Sequence, residues 1–114
     1  MEVRWTVLSS YRIMWLMCMF DLPVVEPEER KRAQRFRNLL LDQGFEMAQY
    51  SVYMRFCSSE NVVDTYRTRI RKQLPEEGHV KFLAFTDRQY SRMETFWGGT
   101  KKTMRSAPET LEFW

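Results

Sequence analysis

The sequence predicts an α+β domain in which an antiparallel sheet carries two helices on one face. Three observations carry this prediction. Residues 13–21 are an almost unbroken apolar run. Two later stretches repeat apolar residues with a helical period. The segments at 45–57 and 79–86 alternate or run apolar at strand length.

The first strand spans 13–21. Its two alternation sets, Ile13, Trp15, Met17, Met19 and Met14, Leu16, Cys18, Phe20, are both apolar, as expected of a central strand covered on both faces. Pro23 cannot extend a ladder and stops it. Pro27 opens a helix, and Glu26, Glu28 and Glu29 suit the positive end of its dipole. Ala33, Phe36, Leu39 and Leu40 form its apolar stripe, and Gly44 ends it as a left-handed cap.

Residues 45–57 alternate. One face reads Ala48, Tyr50, Val52, Met54, Phe56. The other, mixed face reads Met47, Gln49, Ser51, Tyr53, Arg55, and suits a subunit interface or a nucleic-acid groove. Ser58 or Ser59 caps a second helix with the stripe Val63, Tyr66, Ile70, Leu74, stopped by Pro75. After the turn Glu76-Glu77-Gly78, residues 79–86 form a further strand. Residues 88–97 read either as one more strand or as a short helix followed by a strand, broken by Gly98-Gly99. Two helices on one face of an antiparallel sheet give the ferredoxin-like βαββαβ arrangement. Its helix-free face must be covered, most simply by a second copy of the chain, making a homodimer.

At 114 residues the chain fits one domain. We divide it into a flexible leader (1–11), the domain (12–98) and a basic tail (99–114) whose apolar end, Leu111 to Trp114, could dock on a partner by strand addition. Eight Met and four Trp point to broad apolar surfaces. The apolar run at 13–20 lacks a cleavage site behind it and is too short to span a bilayer, so a cytoplasmic protein without membrane attachment is expected. Cys18 and Cys57 lie inside apolar strands and read as buried thiols rather than as a disulfide.

Net charge is only +3, but it is unevenly spread. Between Arg30 and Lys72 there are ten basic residues against four acids. Arg30, Lys31, Arg35, Arg37, Arg67, Arg71 and Lys72 are the candidates for contact with a phosphate backbone, a role for which the guanidinium fork is well suited. A solvated helix face with pairs such as Asp64–Arg67 is the competing reading. No Gly-rich phosphate loop, nucleophile elbow or zinc quartet is present, and His79 is the sole histidine, read as a surface or half-buried residue. Asp21, at the end of the first strand, is the candidate catalytic and metal-binding residue. A carboxylate there can present oxygen to a metal or simply cap a turn.

The segments Phe20-Asp21-Leu22-Pro23, Arg30-Lys31-Arg32 through Phe36-Arg37, Gly44-Phe45 and Gln49-Tyr50-Ser51-Val52-Tyr53 together resemble the small CRISPR-associated nuclease family, the second core protein of the spacer-acquisition machinery (Cas-two). The resemblance covers about 12–98. Asp-Leu-Pro and Ser-Val-Tyr-x-Arg-x-Cys are nearest to members from systems with a single large effector nuclease. The leader and the tail depart from the family pattern.

The resemblance implies a ferredoxin-like homodimer with facing sheets and one Mg2+ shared between the two Asp21 carboxylates. It implies a metal-dependent endonuclease acting on single-stranded RNA or on DNA. It also implies a subunit that bridges integrase dimers during spacer acquisition and holds duplex DNA. A ribonuclease toxin with the same fold is the alternative.

Overall fold

A computed structural model describes residues 12–98 and 100–103, the last four by backbone alone. The predicted leader and the Leu111–Trp114 segment lie outside the described residues. The elements run β1 (Met14–Asp21), α1 (Pro27–Asp42), β2 (Glu46–Gln49), β3 (Val52–Cys57), α2 (Glu60–Arg71), β4 (His79–Thr86), α3 (Asp87–Tyr90), β5 (Glu94–Trp97) and β6 (Thr100–Thr103). A four-stranded sheet has the order β2-β3-β1-β4, and β1 is antiparallel to both β3 and β4. This is the predicted ferredoxin-like α+β fold.

Local chemistry explains the element ends. Pro27 occupies the first turn of α1, and the Glu29 carboxylate accepts a hydrogen bond from the Glu26 N–H at 2.8 Å. Gly44 takes φ +88° just past the helix, the left-handed geometry its missing side chain permits. Ser59 caps α2, its hydroxyl accepting from the Val62 N–H. Pro75 is not what ends α2. The helix stops at Arg71, and Leu74, expected on its apolar stripe, is exposed beyond it. Residues 88–97 resolve into the second of their two readings, a short helix and then a strand, which pairs with β6 in a hairpin.

The register sorts the sheet into two faces. On the helix side lie Leu16, Cys18 and Tyr53, joined by Phe36 and Leu40 from α1 and Val63 and Ile70 from α2. The other face is read from the rungs Phe56–Trp15–Phe85, Met54–Met17–Leu83, Val52–Met19–Lys81 and Asp21–His79. Among the described residues, only its Trp15 end is closed. Tyr90 of α3 stacks on Trp15 with ring centroids 4.2 Å apart, and the Trp15 indole N–H donates to Asp87 at 2.9 Å. Leu83 remains 52% exposed and Phe56 47%.

The 45–57 segment corrects the sequence expectation. It is a hairpin, not one alternating strand. Tyr50 and Ser51 form its turn, Ser51 at φ +62°, and the register shifts between Met47 and Gln49. A turn and a bulge break the two-residue period, so side chains on either side of them do not share the parity of a continuous strand. Tyr53, placed on the interface face by alternation, is 1% exposed in the helix-side core. Val52, Met54 and Phe56 instead share the open face with Trp15 and Met17.

Candidate functional site

Asp21 ends β1 on the open face, directly across from His79 of β4. Its carboxylate is exposed, and among the described residues no hydrogen bond or ion pair engages it. Its backbone, by contrast, is held from two directions. The neighbouring Phe20 N–H donates to the Ser51 carbonyl at 3.0 Å, tying β1 to the hairpin tip. Gly78, at φ +87°, presses on the other side. A Cβ there would lie 2.4 Å from the Asp21 carbonyl oxygen, so only glycine fits this turn as it stands.

Met19, Phe20, Asp21, Ser51, Val52, His79 and Lys81 line a shallow hollow of about 480 Å³. One carboxylate and two basic side chains therefore converge beside a strained hairpin turn. Among the described residues, no three His, Cys, Asp or Glu side chains gather to hold a metal. Among the described residues, Asp21 is the only carboxylate that lines this hollow. That donor set is compatible with Mg2+, which is commonly bound through one or two carboxylates and completes its octahedron with water and phosphate oxygens.

The seven basic candidates do not form one cluster. Arg30 donates to the carbonyls of Val24 and Val25 at 3.3 and 2.6 Å. Arg37 donates to the Tyr53 hydroxyl. Both guanidiniums line a second hollow of about 600 Å³, which shares Phe20 and Ser51 with the first. Arg35 lines a third hollow, between α1 and the end of α2. Lys31 pairs with Glu28 at 3.7 Å and Arg67 with Asp64 at 3.5 Å, so the solvated-pair reading holds for these two. Arg71 and Lys72 are exposed at the end of α2.

Arg55, also basic and on β3, has a structural task. It donates to the Gln43 carbonyl at the end of α1 at 2.7 Å, and its guanidinium lies 3.5 Å above the Tyr66 ring. The cysteines are free, buried thiols. Burial pushes the Cys18 pKa up to about 12 and raises that of Cys57 as well. Neither is a nucleophile near neutral pH. Among the described residues no helix is long and apolar enough to cross a membrane.

Sequence reading missed His79 and Gly78 as members of the Asp21 site. The only local signal was the Glu-Glu-Gly turn before a strand, which says nothing of the strand end it packs against. Gln49 and Ser51, expected to share one face, part company. Gln49 is exposed at the end of β2, whereas Ser51 forms the turn between the two hollows.

Comparison with known proteins agrees with this architecture. The family model described as CRISPR associated protein Cas2 matches residues 14–93, from the start of β1 to the approach to β5. A protein of Paracidovorax avenae named CRISPR-associated endoribonuclease Cas2 is 46% identical over 93% of this chain and 98% of its own length. A protein of the same name from Flavobacterium psychrophilum is 45% identical over 85% of this chain and 84% of its own length. A third, from Rhodospirillum rubrum and named CRISPR-associated endoribonuclease Cas2 2, is 43% identical over 92% and 90%. With the ferredoxin-like sheet and the strand-end aspartate in place, these matches make the chain a member of the Cas2 family of CRISPR-associated proteins.

Proposed function

We propose that this chain is a metal-dependent endoribonuclease of a CRISPR system, working as a two-fold homodimer joined through the open sheet face. The observation that carries the reading is the position of Asp21: an exposed carboxylate without a partner among the described residues, on a rigidly held strand end, at the rim of an uncovered apolar surface. Met17, Met19, Leu83 and Phe56 give that surface the apolar character of an interface between copies. A symmetry axis near the polar end of the face supplies a second carboxylate, beyond the single one that the described residues of one chain place at the hollow. Mg2+ held there would supply Lewis-acid polarisation of the scissile phosphate and an activated water.

The residues of the chain do the positioning. The two Asp21 side chains hold the ion. Lys81, in the same hollow, draws the anionic backbone towards it, and His79 offers a hydrogen-bonding ring beside it. Gly78 and Ser51 keep the strand end from shifting. The names of the relatives favour this reading over a ribonuclease toxin.

The test is Asp21→Asn, which keeps the shape and removes the charge. Mg2+-dependent cleavage of RNA should fall at least about 100-fold, since both carboxylates of the dimer are lost at once. Thermal stability should stay within about 0.5 kcal/mol, because the group is exposed and, among the described residues, makes no hydrogen bond or ion pair. Undiminished cleavage by the variant would overturn the assignment.

A second reading concerns duplex DNA. The exposed Arg35, Arg71 and Lys72 on the helix layer favour a subunit that holds a duplex and bridges integrase subunits in spacer acquisition. It is tested by spacer capture with Asp21→Asn: capture that survives while cleavage is lost assigns the acquisition role to the scaffold.

A further inference from the structure

We infer that the second hollow, walled by Arg30, Arg37 and Tyr50, seats one unpaired nucleotide of a single-stranded RNA next to the bond held at Asp21. The inference rests on the nuclease reading and adds to it a subsite with its own specificity. An exposed aromatic is ordinary on a protein surface. Tyr50 differs in where it stands and in what surrounds it.

Tyr50 is 91% exposed at the tip of the β2–β3 hairpin. The next residue, Ser51, holds a positive φ that a serine rarely adopts, and its carbonyl is pinned by the Phe20 N–H. Strain of this kind persists where the surroundings hold it, and it fixes where the hairpin tip lies. The hollow is about 600 Å³, within the range of small-ligand sites, and has Phe20 and Leu22 among its apolar lining.

Its two guanidiniums are the second observation. Arg32 and Lys31, on the same helix, have acidic partners, Glu77 and Glu28. Among the described residues Arg30 and Arg37 have none. Each is instead anchored by neutral oxygens: Arg30 by two carbonyls, Arg37 by the Tyr53 hydroxyl. Two anchored cations with uncompensated charge, beside a ring open to solvent, match the parts of a nucleotide. The phosphate meets the guanidinium forks and the base lies on the ring. A duplex keeps its bases stacked inside, so the ring selects single strands. The shared lining of Phe20 and Ser51 places this subsite directly beside the Asp21 hollow.

The experiment measures binding of a short labelled single-stranded RNA, and of a blunt-ended RNA duplex of the same length, by fluorescence anisotropy in EDTA. Tyr50→Ala should weaken single-strand binding about tenfold, the scale of one lost base–aromatic stack, while Tyr50→Phe binds as the parent does. Duplex binding should be unchanged in both variants. Equal single-strand affinity in Tyr50→Ala and the parent would overturn the subsite, as would no single-strand binding by the parent or an equal loss on both RNAs. Tyr50-dependent binding without any Asp21-dependent cleavage leaves the subsite standing and removes the nuclease reading.

Discussion

Arg55 separates the structural use of a cation from its use as a nucleic-acid contact. In Arg55→Met the stem that packs along β3 is kept and the guanidinium is lost. Three effects are removed together. The bond to the Gln43 carbonyl, 2.7 Å and charge-assisted, contributes about 1.5 kcal/mol. The cation 3.5 Å over the Tyr66 ring adds about 0.5–1 kcal/mol. Its charge at the negative end of α1 adds about 0.5 kcal/mol. The bond to the Phe56 carbonyl at 2.8 Å is to the adjacent residue and adds little. Some water replaces the lost donor because the side chain is only half-buried, so the expected loss is about 2 kcal/mol. For a domain of this size that is a fall in Tm of roughly 8–16 °C. Urea unfolding at a fixed protein concentration measures it, since dimer formation would make the midpoint concentration-dependent. Nucleic-acid affinity of the folded variant should equal that of the parent. A loss under about 0.5 kcal/mol, or unchanged stability with weakened binding, would refute the assignment and move Arg55 to the interface.

Other outcomes follow from the same contacts. Gly78→Ala should destabilise by at least about 2 kcal/mol and depress Asp21-dependent cleavage together, since its Cβ meets the Asp21 carbonyl. Gly98→Ala, at φ +52° with nothing within 4 Å, should cost only about 1 kcal/mol and serves as the control. Leu83→Glu, on the open face, should leave the folded monomer intact and abolish the proposed dimer in sedimentation equilibrium, because symmetry would bring charges from both copies into an apolar interface. Cys18 gives a pH signature. Its folded pKa is raised from 9.0 to about 12, so the unfolded state ionises first. The stabilisation is fully present below about pH 9 and is lost towards pH 12 at about 1.4 kcal/mol per unit. Cys18→Ala should flatten that alkaline slope, measured as the difference in urea midpoints between pH 8 and pH 10.5. An unchanged slope would mean the thiol ionises as readily folded as unfolded.

The helices, the central strand and Asp21 at its end were legible because each is written in local chemistry. Pro27 and Gly44 bracket α1, Ser59 starts α2, and Pro23 closes β1 just after the acid. The facing of 45–57 was not legible. Its alternation looks continuous in sequence, yet the Tyr50-Ser51 turn and the shift after Met47 reset the parity. Tyr53 thereby moved from a supposed interface to the core, and Tyr50 from a supposed sheet face to an open tip. The basic list suffered for a related reason. A count of arginines cannot tell Arg55, folded back on a helix end, from Arg30 and Arg37, turned into a hollow.

By itself, then, the sequence determined the two helices, the central strand, the ferredoxin-like class and the carboxylate at that strand's end, because periodicity, capping and chain-breaking residues act over a few neighbours. Only the tertiary structure decided which groups meet. His79 reaches Asp21 across 58 residues of chain through strand pairing, Gly78 abuts its carbonyl, and the hairpin tip joins α1 around a second hollow. These juxtapositions depend on register and on close packing between distant segments, and no window of sequence contains both partners.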